Sequence, residues 1–275
     1  MLEKVLNSKE YLKEQTTFSL IPLILTSDTL EYYTDGENYL ICRSNPDTPI
    51  WVWTKDDLSV NKLNEVLLKL DSMLDPEKII QITSKDIVFK RLFEDYKDIV
   101  VENYFIQKGN YLQMRAYECN NLIKPKNIVG HKERPTIEDL EILAYFNKCD
   151  WEDVLTHEYS SKVTKEQLYK DAKKHIENPN FYVWKVDNRI VATAGYTDNR
   201  IGMVFTNRED RGNGYAGMII YELCEEIIKQ GKTPMLYVDA DYYASNRAYQ
   251  KIGFEPVGDL YNIKIGNSNV KEITR

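Results

Sequence analysis

Cysteine, proline and histidine are scarce in this chain. It has 4 cysteines, 9 prolines and 3 histidines in 275 residues. No two of Cys42, Cys119, Cys149 and Cys224 lie close together, so neither a zinc-ligand spacing nor a disulfide framework is present. Reduced thiols and a cytoplasmic setting are the expectation. His131, His157 and His175 are scattered, which predicts surface or structural places for them and no metal site. No apolar run approaches the length of a membrane span. The opening MLEKVLNSKEYLKEQ is too charged to read as a signal sequence. Positive charge is also in deficit: the formal net charge is -7. That disfavours nucleic acid and anionic membrane as partners, and it suits a cationic one.

What is present describes a globular chain. Hydrophobic residues make up 43% and charged residues 29%, and the length gives room for two domains. The polar, proline-containing stretch Asn120 to Lys126 marks a boundary, predicting domains 1–126 and 127–275. In the first, strands are expected at Tyr39 to Arg43 and Ile50 to Thr54, with Trp51 and Trp53 alternating as on a half-buried strand. Helices follow at Leu58 to Leu74 and Ile87 to Tyr96, around a strand at Ile79 to Thr83. Two more strands, Val100 to Lys108 and Tyr111 to Glu118, flank the turn pair Gly109-Asn110.

The second part reads as a short strand within Ile128 to Pro135, then a helix started by Thr136 with Asp139 in the capping-box place. A helix from Thr164 and a hairpin through Asp187-Asn188 come next. The strand Ile201 to Thr206 then leads into Arg211-Gly212-Asn213-Gly214-Tyr215-Ala216 and a helix with Ala216, Ile219, Ile220, Leu223 and Ile227 on one face. Gly231 is placed to end it. A strand at Met235 to Val238, a short helix with Ser245 as its N-cap, and a strand at Glu255 to Ile265 that closes the sheet complete the chain.

Strand, glycine turn, helix is how backbone N–H groups are aimed at a phosphate. A nucleotide-hydrolase loop would need Lys-Ser/Thr after the last glycine; Tyr215-Ala216 stand there. Gly212, Gly214 and Gly217 spell GxGxxG with Asp239 downstream, but Asn207 to Arg211 separate the strand from the first glycine, and too little chain follows for a doubly wound sheet. A nicotinamide-dependent enzyme is the weaker reading for those reasons.

Arg-x-x-Gly-x-Ala at 211 to 216, followed by Ser245-Asn246-Arg247-Ala248-Tyr249-Gln250-Lys251-Ile252-Gly253-Phe254, closely resembles the GNAT acetyltransferase superfamily. The resemblance covers 128 to 265, and the whole chain is similar to two-domain bacterial members of it. It implies an α+β fold, an α/β mixed sheet of GNAT type in the C-terminal half. A smaller α/β domain precedes it, a degenerate GNAT half with no cofactor turn, expected to bind no cofactor and to wall the substrate cleft. It implies transfer of an acetyl group from acetyl-CoA to a primary amine of a small molecule or peptide, by direct attack, in a monomer or homodimer. Val204, Phe205 and Thr206 hold the pantetheine arm in that scheme. Arg211, Gly212, Asn213, Gly214, Tyr215, Ala216 and Gly217 hold the pyrophosphate, Ser245 and Asn246 flank the coenzyme, and Tyr249 protonates the departing thiolate. The strand glutamate that some members use as a base is Tyr237 here, and the asparagine that often starts the last helix is Tyr242. The base therefore stays open among a water relay, Asp239 and Glu158. These departures also motivate the alternative, a coenzyme A-binding sensor or partner module without chemistry.

Overall fold

The computed structural model describes residues 1–75, 78–94, 105–106, 112–154 and 163–266. Three short helices open the chain: α1 (Leu2–Leu6), α2 (Lys9–Lys13) and α3 (Leu20–Ile24). Then come β1 (Glu31–Thr34), β2 (Tyr39–Arg43), β3 (Ile50–Thr54), α4 (Val60–Met73), β4 (Ile80–Ser84) and α5 (Asp86–Glu94). The strands β5 (Phe105–Ile106), which pairs with the last strand, and β6 (Leu112–Glu118) lead to β7 (His131–Glu133), α6 (Leu140–Val154) and α7 (Lys165–Glu177). Finally β8 (Phe181–Val186), β9 (Arg189–Thr197), β10 (Arg200–Thr206), α8 (Tyr215–Lys229), β11 (Met235–Asp239), α9 (Tyr243–Lys251) and β12 (Glu255–Gly266) follow. This is the mixed α/β class that the sequence implies.

Much of the local chemistry is as expected. Thr136 and Asp139 close a capping box before α6, which runs to Val154. Asp187 and Asn188 both take positive φ, 49° and 61°, in the tight turn between β8 and β9. Gly231, at φ 77°, ends α8. Ser245 is a correction: α9 begins at Tyr243 with Tyr242 as its N-cap, so Ser245 sits inside the first turn. Strand β1 lay in a stretch without clean alternation. Trp51 and Trp53 are on a strand covered on both faces, and Trp53 donates through Nε1 to Glu14 (2.7 Å). The expected strand Val100 to Lys108, apart from Phe105–Ile106, and the Gly109-Asn110 turn lie outside the described residues, as do Glu158 and His157.

The chain falls into two compact units. Among the described residues the first takes Met1–Ala116, Val238–Asp241 and the residues from Pro256 on; the second takes Tyr117–Tyr237 and Tyr242–Glu255. In the first unit β1, β2 and β3 are antiparallel neighbours, β4 lies parallel to β3, and β12 runs antiparallel to β4 from Tyr261↔Ser84 to Ile265↔Ile80. The last strand thus lies inside the first unit's sheet, where the sequence predicts it at the close of the C-terminal half's sheet. Its apolar residue Ile263 packs in a core with Ile41, Val52, Val66, Leu70, Ile82 and Phe89.

The second unit repeats that order. β7, β8, β9 and β10 are antiparallel neighbours, and β11 lies parallel to β10 after the α8 crossover. Helices α6 and α7 pack a core of Leu143, Phe146, Leu168 and Ala172 onto Phe181, Val183, Ile190 and Phe205. Burial of such side chains contributes on the order of 1.5–3 kcal/mol each. Gly253 in the Ile-Gly-Phe exit has φ 100°, and a Cβ there would lie 2.0 Å from the Asn121 carbonyl oxygen. A Cβ on Gly217 would only touch Ile252, at 3.6 Å. We expect Gly253→Ala to lower stability by more than ~1 kcal/mol and Gly217→Ala to leave it unchanged or raise it by up to ~1 kcal/mol. Urea denaturation followed by circular dichroism checks both.

Candidate active site

The site is set by a fault in a strand. From Gly202↔Gly195 to Phe205↔Thr193, β10 takes three steps while β9 takes two, so β10 carries one extra residue. Met203 absorbs it with φ 54°, a conformation that a side chain resists. Its methyl end lies where a Cβ on Gly195 would be, 2.6 Å away, so the glycine on β9 makes room for it. On its other edge β10 pairs with β11 only at Arg200↔Met235 and Ile201↔Leu236. The backbone of Gly202 to Thr206 therefore leaves β11 and presents an edge unpaired among the described residues. A Cβ on Gly202 would meet nothing within 4 Å.

The turn after β10 is fastened from below. Asp210 is buried and accepts both guanidinium N–H groups of Arg189, at 2.8 and 2.6 Å, and the Asn207 amide at 2.8 Å. Those donors, Arg189 foremost, hold its carboxyl below the usual range. Asn213 turns its own amide back to the Asp210 carbonyl, 3.0 Å. Above this anchor Gly212 and Gly214 take φ 86° and 81°. A Cβ on Gly212 would meet nothing within 4 Å, and one on Gly214 only Met218 Cε at 3.9 Å. Gly214 is the N-cap of α8 and has no side chain to cap it. The first intrahelical donor is Met218 N, to Gly214 O at 3.1 Å. The N–H groups of Tyr215, Ala216 and Gly217 therefore face outward at the positive end of a 15-residue helix. This open cradle fits a pyrophosphate.

Arg211 and Asn246 are engaged within the protein. Arg211 pairs with Asp153 on α6, donates through Nε to the Thr206 carbonyl (3.2 Å), and lies 5.6 Å from the Phe205 ring centre. Arg208 binds the same Asp153, at 2.7 Å. Burial pushes the Asp153 carboxyl up, but the two guanidinium groups outweigh it and hold it low. Asn246, expected beside the coenzyme, is buried; it accepts from Tyr117 Oη (2.8 Å) and donates to Tyr242 O (2.9 Å). Val204 is half-buried at the open edge, while Phe205 packs into the core against Phe146, ring centres 5.1 Å apart and tilted.

Tyr249 is buried, with its ring 6.2 Å from that of Phe254. Burial pushes its phenol up to about 12, against the pull of the Ser245 hydroxyl, and the Tyr242 and Asp150 charges add to the rise. It is thus a protonated donor at neutral pH. Of the base candidates, Asp239, at the end of β11, accepts from Asp241 N (2.9 Å) in a turn; His131 pairs with Glu133 at the surface (2.8 Å).

A cavity of about 260 Å³ lies between α6, α7 and the bulged end of β10, lined by Phe146, Asp150, Trp151, His175, Phe181 and Met203 among others. Asp150 and His175 carried no motif, since only packing brings them together. The Asp150 side chain is reached by water yet crowded by protein on its other sides. That crowding, with the Asp153 charge adding, pushes its carboxyl up to about 6, against Arg211. His175 stacks on Phe181 at 4.5 Å, and burial holds its imidazole below the ordinary value, hence neutral at pH 7. Among the described residues no group of three or more His, Cys, Asp or Glu could hold a metal ion, and no helix is long and apolar enough to cross a membrane.

A carboxyl raised from its unfolded value of ~3.9 favours the fold while protonated and loses that advantage as pH rises through about 6. Asp150→Asn should therefore be more stable than the wild type at pH 8, with the difference fading by pH 4. Urea midpoints across that range check it.

A family model described as FR47-like protein matches residues 191–261. Solved structures with the same fold include a GNAT-family acetyltransferase from Colwellia psychrerythraea, 11% identical, covering 96% of this chain and 97% of that one at a TM-score of 0.55. A GCN5-related N-acetyltransferase from Kribbella flavida is 13% identical, covering 94% and 96% at 0.51. A functionally unknown conserved protein from Staphylococcus epidermidis is 14% identical, covering 91% and 99% at 0.55. No curated protein matches the chain. At such identities the fold is what is shared: the chain has the fold of the GNAT acetyltransferases, and the FR47-like match lies across its bulged strand, glycine turn and Tyr249.

Proposed function

We propose that the chain transfers an acetyl group from acetyl-coenzyme A to a primary amine of a small molecule or peptide, by direct attack in a ternary complex. The observation that supports this most is one juxtaposition. An unpaired strand edge from Gly202 to Thr206 ends at an uncapped helix start behind two left-handed glycines. The edge suits an extended, amide-bearing arm that adds as a strand would. The helix start suits a pyrophosphate.

When bound, acetyl-coenzyme A supplies the activated thioester. The chain supplies the rest. Val204, Phe205 and Thr206 offer backbone groups to the arm and one N–H to the thioester carbonyl, where negative charge develops. Residues 211–217 hold the pyrophosphate, with Arg211 kept at the rim by Asp153. Ser245 lies along the coenzyme's path, and Asn246 serves from behind by fixing α9 to Tyr117. Tyr249 gives its proton to the departing thiolate, and the Ser245 hydroxyl steadies the phenolate left behind. The net charge of -7 suits a cationic acceptor.

Calorimetric titration with acetyl-coenzyme A and with coenzyme A tests this. Micromolar binding is expected, abolished in Gly214→Glu. Tyr249→Phe should keep coenzyme affinity and lose roughly 10²–10⁴ in turnover. A wild type that binds neither ligand sinks the reading; one that binds both but acetylates no amine supports a module without chemistry instead.

A further inference from the structure

We propose that Asp150 takes the proton from the acceptor amine, and that the cavity beside it admits one ammonium group carried on a compact apolar body. This rests on the acyl-transfer reading above and narrows it from small molecule or peptide to small molecule.

Four titratable side chains line the cavity: Asp150, Asp171, Lys174 and His175. Asp171 is committed. It accepts from Gln167 Nε2 at 2.9 Å and Lys174 Nζ at 3.0 Å. Lys174 is a cation and would repel another. His175 is held flat on Phe181, on the α7 wall. Asp150 and His175 have no hydrogen-bond or ion-pair partner among the described residues, and of these two only Asp150 is a carboxylic acid. Its own helix presents Asp153 to it and the turn presents Arg211, but those two bind each other. From α9 its field reaches Tyr249. The prospective acid thus lies within electrostatic reach of the prospective base.

The other walls choose the ligand. Phe146, Trp151, Phe181, Phe205, Leu143 and Met203 are apolar, and four of them are aromatic. Such a lining binds a cation by its ring faces, and it lowers an ammonium pKa while raising that of a carboxyl. Both shifts bring the two pKa values together and ease proton transfer. At about 260 Å³ the space is just below the common ligand-pocket range of roughly 300–1,000 Å³. It holds a single ring on a short arm.

The proton count balances. The ammonium N–H proton passes to the Asp150 carboxylate. The freed amine forms the N–C bond to the thioester carbonyl as the C–S bond breaks. The thiolate takes the Tyr249 proton, and the second proton shed by nitrogen as the amide forms restores the phenol. Asp150 then releases its proton to water.

Phenethylamine is the probe. The coenzyme-A-saturated protein is titrated with it calorimetrically at pH 7.5, and acetyl transfer to it is followed from pH 5 to 9. In the wild type kcat/KM should rise with pH through an inflection near the Asp150 value of about 6. Asp150→Asn should weaken phenethylammonium binding at least ~10-fold, lower kcat by roughly 10²–10⁴ and abolish that inflection, with affinity for coenzyme A unchanged. His175→Gln, which alters the opposite wall, should keep the inflection whatever it does to KM. An inflection that survives in Asp150→Asn or vanishes in His175→Gln overturns the assignment, as does equal binding of the probe to Asp150→Asn. Coenzyme binding without any probe binding by the wild type also overturns it, and leaves the acyl-transfer reading standing. Loss of coenzyme binding by the wild type removes that reading itself.

Discussion

Everything at the site depends on one residue forced into the wrong half of the Ramachandran map. Met203 at φ 54° adds a residue to β10 and turns the strand away from β11 after two paired positions. Such a conformation costs on the order of 1–3 kcal/mol and persists only where the surroundings impose it. Here they do. Gly195 leaves the space that the Met203 side chain fills, and Thr193 Oγ1 donates to the Met203 carbonyl at 3.4 Å. Below the fault, Phe205 is locked against Phe146, so the strand cannot slide back into register.

The second constraint is that the glycine turn must be open and yet fixed. Openness comes from what Gly212 and Gly214 lack. Fixity comes from Asp210, a buried carboxylate whose bidentate Arg189 partner arrives from the neighbouring strand. The ion pairs of Asp153 with Arg208 and Arg211 join the end of α6 to the same turn. Removing one partner of such a set leaves a crowded charge uncompensated, which costs more than the pair contributes. A preorganised anion site is the result, and it sits within one hydrogen bond of the strand edge through Arg211 and the Thr206 carbonyl.

The elements legible in the sequence were those specified locally. The apolar stripe of α8, the Thr136 capping box and the Asp187-Asn188 turn each depend on residues a few positions apart, and the structure has all three. The turn at 211–216 was legible because phosphate cradles need glycine at fixed spacing. What depends on distant packing was not legible. Nothing near Glu255 says that β12 will pair with β4, since an apolar alternating strand suits either sheet. Asn246 read as a ligand contact because the motif names it, whereas Tyr117, far away in sequence, claims its amide. Asp150 and His175 carry no signal of their own; the cavity that gives them meaning forms only when α6, α7 and β10 meet.

The two units pose the same junction and resolve it differently. In the first, the register of β3 and β4 passes through Ile50↔Ile82 and Trp51↔Thr83, and at the next step Ser84 Oγ donates to the Val52 carbonyl at 2.7 Å. In the second, the corresponding step brings Gly202 opposite Tyr237, and the strands part. A bare strand edge is a template for any passing chain, and in the first unit the serine hydroxyl occupies the carbonyl at this step. The second unit keeps its edge bare but twists it at Met203, so a straight strand from another molecule cannot match its hydrogen-bonding pattern. The distortion that opens the edge to a narrow, flexible ligand is therefore also a guard against self-association.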